Sequence, residues 1–182
     1  KEYHEKEFSK AGGIFSMVQL WVNLPAADKL SKPKYQEILN SNIPKVELPN
    51  NGGIIEVIAG NYEFNKGAAS TFTEVHLMNA HLEKNGTVNF SFSERNNTAL
   101  LIISGRIWVN GKDTAAANHF VLMNNDGEFF SIEAMEKSVV LILSGEPILE
   151  PIAAYGPFVM NTKAELIEAF EQFEKGEFGS LD

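Results

Sequence analysis

The sequence has 182 residues, 44% of them hydrophobic and 21% charged, enough to bury the core of one large domain or of one domain plus part of another. Its formal net charge of −9 argues against a phosphate-binding surface, because non-specific nucleic-acid affinity rests on Lys and Arg, so no direct nucleic-acid partner is expected. There is no cysteine, which excludes disulfides, thiolate zinc sites and Cys nucleophiles.

No apolar run approaches the length of a membrane span, and the opening KEYHEKEF is too charged for a signal-peptide core. No membrane partner and a cytoplasmic location are therefore expected. The chain opens at Lys1 and not at Met, so natural sequence upstream is expected as well.

In chain order, Gly12-Gly13 after Ala11 are turn glycines without a phosphate-cradling pattern, as are Gly52-Gly53. Residues 17–24 (MVQLWVNL) are β-branched and aromatic and stop at Pro25, which predicts a strand. A polar stretch with Pro33, Pro44 and Pro49 follows, with a short helix predicted at 35–39, and reads as a connector between two β units. From Gly53 onward, strands are predicted at 54–59, 74–82, 87–92, 99–104, 106–109, 119–123, 128–132 and 138–143, each bounded by Gly, Asn or Asp. Such short strands with close turns predict a sandwich or barrel. Asn110-Gly111 is a hairpin signal, since both positions tolerate positive φ. At the end, Thr162-Lys163-Ala164-Glu165 is a capping box. Leu166, Ile167, Phe170 and Phe173 then follow at helical spacing and Gly176 supplies the stop, so one amphipathic helix is predicted.

Little here carries chemistry. The histidines are His4, His76, His81 and His119. His76 and His81 are five apart, so on one strand they point to opposite faces and cannot chelate together. Each reads as a structural or surface histidine. There is no Gly-x-Ser-x-Gly turn, and Glu63 and Glu94-Arg95 read as charges in solvated loops.

Two stretches carry a resemblance. Gln19-Leu20-Trp21-Val22-Asn23-Leu24-Pro25, with Tyr35-Gln36 and Ile43-Pro44 after it, resembles the inter-domain region of the pirin family. Gly145-Glu146-Pro147, Glu150-Pro151 and Gly156-Pro157-Phe158-Val159-Met160-Asn161-Thr162 resemble the pirin C-terminal signature. Together they frame nearly the whole chain. The resemblance implies two cupin barrels side by side, with a metal, typically iron, in the N-terminal one only.

The general cupin pattern tests the complete barrel independently. It runs from Gly through five residues to His-x-His, then three or four residues to Glu and six more to Gly. Here Gly86 opens it and Gly105 closes it, and the ligand positions hold Phe92, Glu94 and Thr98. The second cupin motif aligns near Asn125-Asp126-Gly127, with Phe130 in place of its histidine. Two Phe and a Thr supply neither imidazole nitrogen nor carboxylate oxygen. This barrel is expected to hold no metal, with Phe92 and Phe130 filling the interior.

The resemblance also implies that the first barrel ends on a His-x-Glu ligand pair shortly before the Gly-Gly. Two alignments are open. One makes Glu2 the metal-binding glutamate, with its histidine upstream of Lys1; the other makes His4 a ligand but puts Lys6 where the glutamate belongs. Glu2 is the preferred candidate, because Lys6 cannot bind a cation.

The expectation is thus an all-β chain: a double-stranded β-helix (cupin) barrel with a C-terminal amphipathic helix, part of a bicupin. Residues 1–45 form the end of the N-terminal cupin and the connector, and 46–146 the metal-free C-terminal barrel. Residues 147–182 form a tail and helix packing back toward the N-terminal side, near 14–24, through Leu166, Phe170 and Phe173. The resemblance implies iron, or another divalent metal, in the first cupin of the full-length protein. It implies a quercetin 2,3-dioxygenase-type activity on a small phenolic substrate, or alternatively an iron- and redox-dependent regulator with a protein partner, this segment being mainly structural.

Overall fold

The computed structural model describes residues 6–178. The chain divides into two compact units, Lys32–Ile148 and a second made of Lys1–Ser31 with Leu149–Asp182. The connector residues 32–45 group with the barrel.

The first unit carries strands β1 (Lys45–Glu47), β2 (Gly53–Ala59), β3 (Asn61–Tyr62), β4 (Asn65–Lys66), β5 (Val75–Leu82) and β6 (Thr87–Ser91). They are followed by β7 (Asn97–Ser104), β8 (Arg106–Val109), β9 (Asp113–Ala116), β10 (Phe120–Leu122), β11 (Phe129–Ala134) and β12 (Ser138–Gly145). A six-stranded sheet runs β1-β2-β5-β12-β7-β10 and a four-stranded sheet β6-β11-β8-β9, while β3 and β4 make a small hairpin. Pairing within the two large sheets is antiparallel throughout. This is the all-β cupin barrel expected.

Alternation along each strand sends one side chain in two to the core. On β5, Met78, Ala80 and Leu82 are buried, while on β7 Leu100 and Ile102 and on β12 Val140 and Ile142 do the same. They meet Val88, Phe90, Ile107 and Ile132 of the smaller sheet in one continuous core. Val46 and Tyr62, and Val121 and Met123, are half-buried against it.

Leu141 is also buried yet lies outside that core. Flanked by the inward Val140 and Ile142, it points to the sheet's outer face, where Leu101 and then Phe120 pair beside it. In the next row out, Leu143 stands between Leu77 and Ala99, with Leu122 beyond. Phe120 and Leu122 are exposed. The β12-β7-β10 half of the outer face is therefore apolar, whereas the β1-β2-β5 half carries Lys45, Glu56, Asn79 and His81.

The two glycines that frame the cupin spacing are fixed by packing. A Cβ on Gly86 would run into the Gly52 carbonyl oxygen. Gly105 has φ of +80°, and a Cβ there would strike Ser138 Oγ. At the predicted hairpin, Asn110 (φ +53°) and Gly111 (φ +63°) both take the left-handed conformation, and Lys112 N–H donates to Val109 O at 3.1 Å.

The second unit holds α1 (Lys6–Ala11), the hairpin β13 (Ala153–Tyr155) and β14 (Phe158–Met160), and α2 (Lys163–Glu174). The Thr162 hydroxyl accepts from Glu165 N–H, and the Glu165 carboxylate accepts from Thr162 N–H, completing the capping box. Phe158 packs on Phe170 and Phe173 of α2 at ring distances of 4.9 and 6.1 Å. Lys29 donates to Asn23 Oδ1 (2.6 Å) and to Val159 O (3.0 Å). The Glu150 carboxylate accepts from Ala26 N–H and from Asn161 Nδ2.

Two predicted elements are corrected. Residues 17–24 form no strand, and Met17, Val18, Leu20, Trp21 and Val22 are all exposed. Their β propensity is real, but a strand needs a neighbour for its amides, and they pair with none among the described residues. Residues 35–39 form no helix. Gln36 instead reaches Ser70, its Nε2 donating to the carbonyl and its Oε1 accepting from the amide.

Candidate functional site

The place where a cupin would hold its metal is the mouth of the barrel between β6, β7 and β11. The structure brings Phe92, Glu94, Thr98 and Phe130 around one small cavity of about 60 Å³, whose remaining wall is largely loop residues such as Met123 and Asn125. The positions picked out by spacing therefore do converge. Their side chains do not suit a cation. Phe92 and Phe130 are buried, as expected, and pack on Phe90 at ring distances of 5.9 and 5.2 Å and on each other at 6.0 Å. Glu94 is exposed. Thr98 is turned to a serine.

That serine belongs to a polar row which sequence reasoning missed. His76, Ser144 and Thr98 are cross-strand neighbours on β5, β12 and β7, all buried and facing inward. The Thr98 and Ser144 hydroxyls lie 2.9 Å apart, and buried Asn96 donates to Ser144 Oγ at 3.4 Å. His76 Nδ1 accepts from Asn61 N–H at 3.3 Å, which leaves the ring proton on Nε2, where it donates to Glu74 Oε1 at 3.0 Å. That hydrogen bond is the main reason the Glu74 carboxyl is held below its ordinary pKa, with a smaller contribution from Asn96 and against a modest opposing effect of burial. The far side of the imidazole lies on the Phe92 ring, 4.7 Å between centroids. The alternation of Glu74-Val75-His76 places the acid and the histidine on one side of the chain, and this was the available signal.

Every member of the row has a hydrogen-bond partner, and Phe92 covers the histidine. Among the described residues no three His, Cys, Asp or Glu side chains come together in a way that could hold a metal ion. The residues at the cupin ligand positions thus do not fit a transition metal, and what the arrangement does chemically is stabilise a polar layer inside an apolar barrel. His81 pairs with Glu56 on the outer surface, and His119 Nδ1 donates to the Ala116 carbonyl in its own turn. Glu2 and His4 lie outside the described residues, while Lys6, at the glutamate position of the second alignment, is exposed at the start of α1.

Residues 77–179 match the sequence profile of the pirin C-terminal cupin domain. The chain belongs to the pirin family. A Pseudomonas aeruginosa protein with the provisional name quercetin 2,3-dioxygenase is 37% identical over 98% of this chain and 62% of its own length. A tomato (Solanum lycopersicum) pirin-like protein is 32% identical, covering 95% of this chain and 60% of its own. Among solved structures, quercetin 2,3-dioxygenase from Acinetobacter baumannii superposes with a TM-score of 0.91 at 40% identity, over 97% of this chain and 61% of that one. The pirin chain described here therefore spans about three fifths of the length of the relatives it matches.

Proposed function

We propose that this chain is the metal-free, mainly structural part of a longer pirin-family bicupin whose N-terminal cupin carries a quercetin 2,3-dioxygenase-type site. The observation that carries the reading is the mouth of the barrel. The cupin spacing from Gly86 to Gly105 persists, while the positions that would bind metal hold Phe92, Glu94, Thr98 and Phe130. In this reading the metal, iron or another divalent ion, belongs to the N-terminal cupin, and Glu2 is its carboxylate ligand. When bound, such an ion would hold and polarise a flavonol-like phenolic substrate. The names of the Pseudomonas and Acinetobacter relatives support that substrate class.

The apolar half of the six-stranded sheet's outer face, Leu77, Leu101, Leu141 and Leu143 with Phe120 and Leu122, supports the structural role. Its exposed edge, Phe120 and Leu122, suits packing against another barrel. The cytoplasmic location expected from the sequence is part of the proposal; no described helix is long and apolar enough to cross a membrane.

The test compares this chain with the longer natural protein, both reconstituted with Fe(II), measuring metal content and the loss of quercetin absorbance. The reading expects near one equivalent of metal and turnover in the longer protein, and neither in this chain. Glu2→Gln in the longer protein should lose most of the metal. Stoichiometric metal on this chain, or quercetin turnover by it, would overturn the assignment.

A further inference from the structure

The barrel is not closed on all sides. Strand β6 is an edge of the four-stranded sheet, and among the described residues its only strand neighbour is β11. At both ends of that ladder the even-numbered residues make the bonds: Ala134 N–H donates to Gly86 O, and Phe92 N–H donates to Glu128 O. In an antiparallel pair, alternate residues bond to the same neighbour. The main-chain groups of Thr87, Asn89 and Ser91 therefore point the other way, and they have no hydrogen-bond partner among the described residues.

They do not point into open water alone. Together with Glu47 and Leu48 at the end of β1, and Asn61, Tyr62 and Glu63 of the β3–β4 hairpin, they line a groove of about 410 Å³. Its floor is aromatic, with Tyr62 half-buried against Phe90 at a ring distance of 5.4 Å. Its two charged lining residues, Glu47 and Glu63, are both acidic. The hairpin tip beside it is built against local preference. Glu63 takes a φ of +50°, where Gly is favoured, and the adjoining Phe64 is fully exposed at 103%.

Natural sheets usually guard such an edge with Lys, Pro, a bulge or an overlying loop. Here Thr87-Val88-Asn89-Phe90-Ser91 contains none of these, and its outward side chains are small and uncharged. We propose that this groove is a docking site for an extended segment of a partner protein. The segment adds as a strand to β6 through Thr87, Asn89 and Ser91 and places a Lys or Arg between Glu47 and Glu63. The backbone edge supplies pairing and the two carboxylates select the sign of the partner. The surface is separate from the cupin ligand cluster in what it recognises, so it stands whether or not the longer protein is an enzyme.

The test uses a labelled synthetic peptide, Thr-Val-Lys-Val-Arg-Val-Thr, and a control with Glu in place of Lys and Arg. Fluorescence polarisation measures binding, and amide hydrogen exchange by NMR locates it. Expected are fast exchange at Asn89 and Ser91 in the free chain, slowing on addition of the basic peptide, and weak or no binding of the acidic one. Asn89→Pro removes an N–H that faces the groove and not β11, so the edge should still fold. It should weaken the basic peptide by about tenfold or more, with a melting temperature close to that of the parent chain. If that variant fails to fold, Glu47→Lys with Glu63→Lys decides, by an affinity loss of similar size. Equal binding of both peptides, shifts that map away from Thr87–Ser91, or unchanged affinity in the variants would overturn the proposal. So would amides already protected without peptide, including protection that grows with the concentration of the chain itself and marks a second copy as the occupant.

Discussion

Replacing Phe92 with Ala removes the ring that stands where a cupin would carry its first histidine. The ring is buried, lies against His76 at 4.7 Å, and belongs to the cluster with Phe90 and Phe130. Truncating a buried Phe costs about 3–5 kcal/mol, from lost transfer energy and the cavity left behind. The cost should fall in the upper part of that range, because strands β6 and β11 hold the other two rings and resist collapse. For a chain of this length each kcal/mol lowers the melting temperature by about 2–4 °C, so the expected drop is roughly 10 °C or more. Glu94→Ala, two residues away on an exposed side chain, is the control and should change stability by no more than about 0.5 kcal/mol. Differential scanning calorimetry of the three proteins is the assay. If Phe92→Ala melted with the Glu94→Ala variant, the idea that aromatic packing has replaced the metal site would fail.

Gly86→Ala should destabilise the barrel by about 2 kcal/mol or more, read by urea denaturation, because its Cβ meets the Gly52 backbone and not a flexible side chain. Burial alone would raise the Glu56 pKa. The hydrogen bonds from Lys45, His81 and Asn79 outweigh burial and hold it below 4.5. A depressed carboxyl stabilises the fold above its unfolded pKa and loses that contribution as pH falls through the folded value. Glu56→Gln should therefore cost up to about 1 kcal/mol at pH 7. That deficit should vanish in melts taken well below pH 4.5, and a deficit that persisted in acid would show that packing, not charge, was lost.

How much of this was legible in the sequence follows from which forces are local. Strands β2, β5, β7, β8, β11 and β12 stood out because each buries one face and is cut off by Gly, Asn or Asp, and both signals sit in the strand itself. The capping box of α2 is equally local. Residues 17–24 carry the same strand composition, yet a strand is a relation between two segments, and no sequence window contains the missing neighbour. The short elements β3, β4, β9 and the β13–β14 hairpin escaped because a few polar or mixed residues show no periodicity.

The candidate site divides in the same way. Counting from Gly86 found Phe92, Glu94 and Thr98, since the spacing records where the backbone must turn. The row His76–Ser144–Thr98 was not found, because it is assembled from three strands far apart in the chain. The acidic edge groove needed both a free strand and a distant hairpin before it existed at all.

The central claim is that this barrel keeps the cupin frame and has given up the metal. Crystals of the chain soaked in Fe(II), with anomalous difference maps collected at the iron edge, test it most directly. The account predicts no anomalous peak inside the Lys32–Ile148 unit and well-ordered Phe92 and Phe130 rings at the mouth. A peak there coordinated by Glu94, His76 or Thr98 would contradict it.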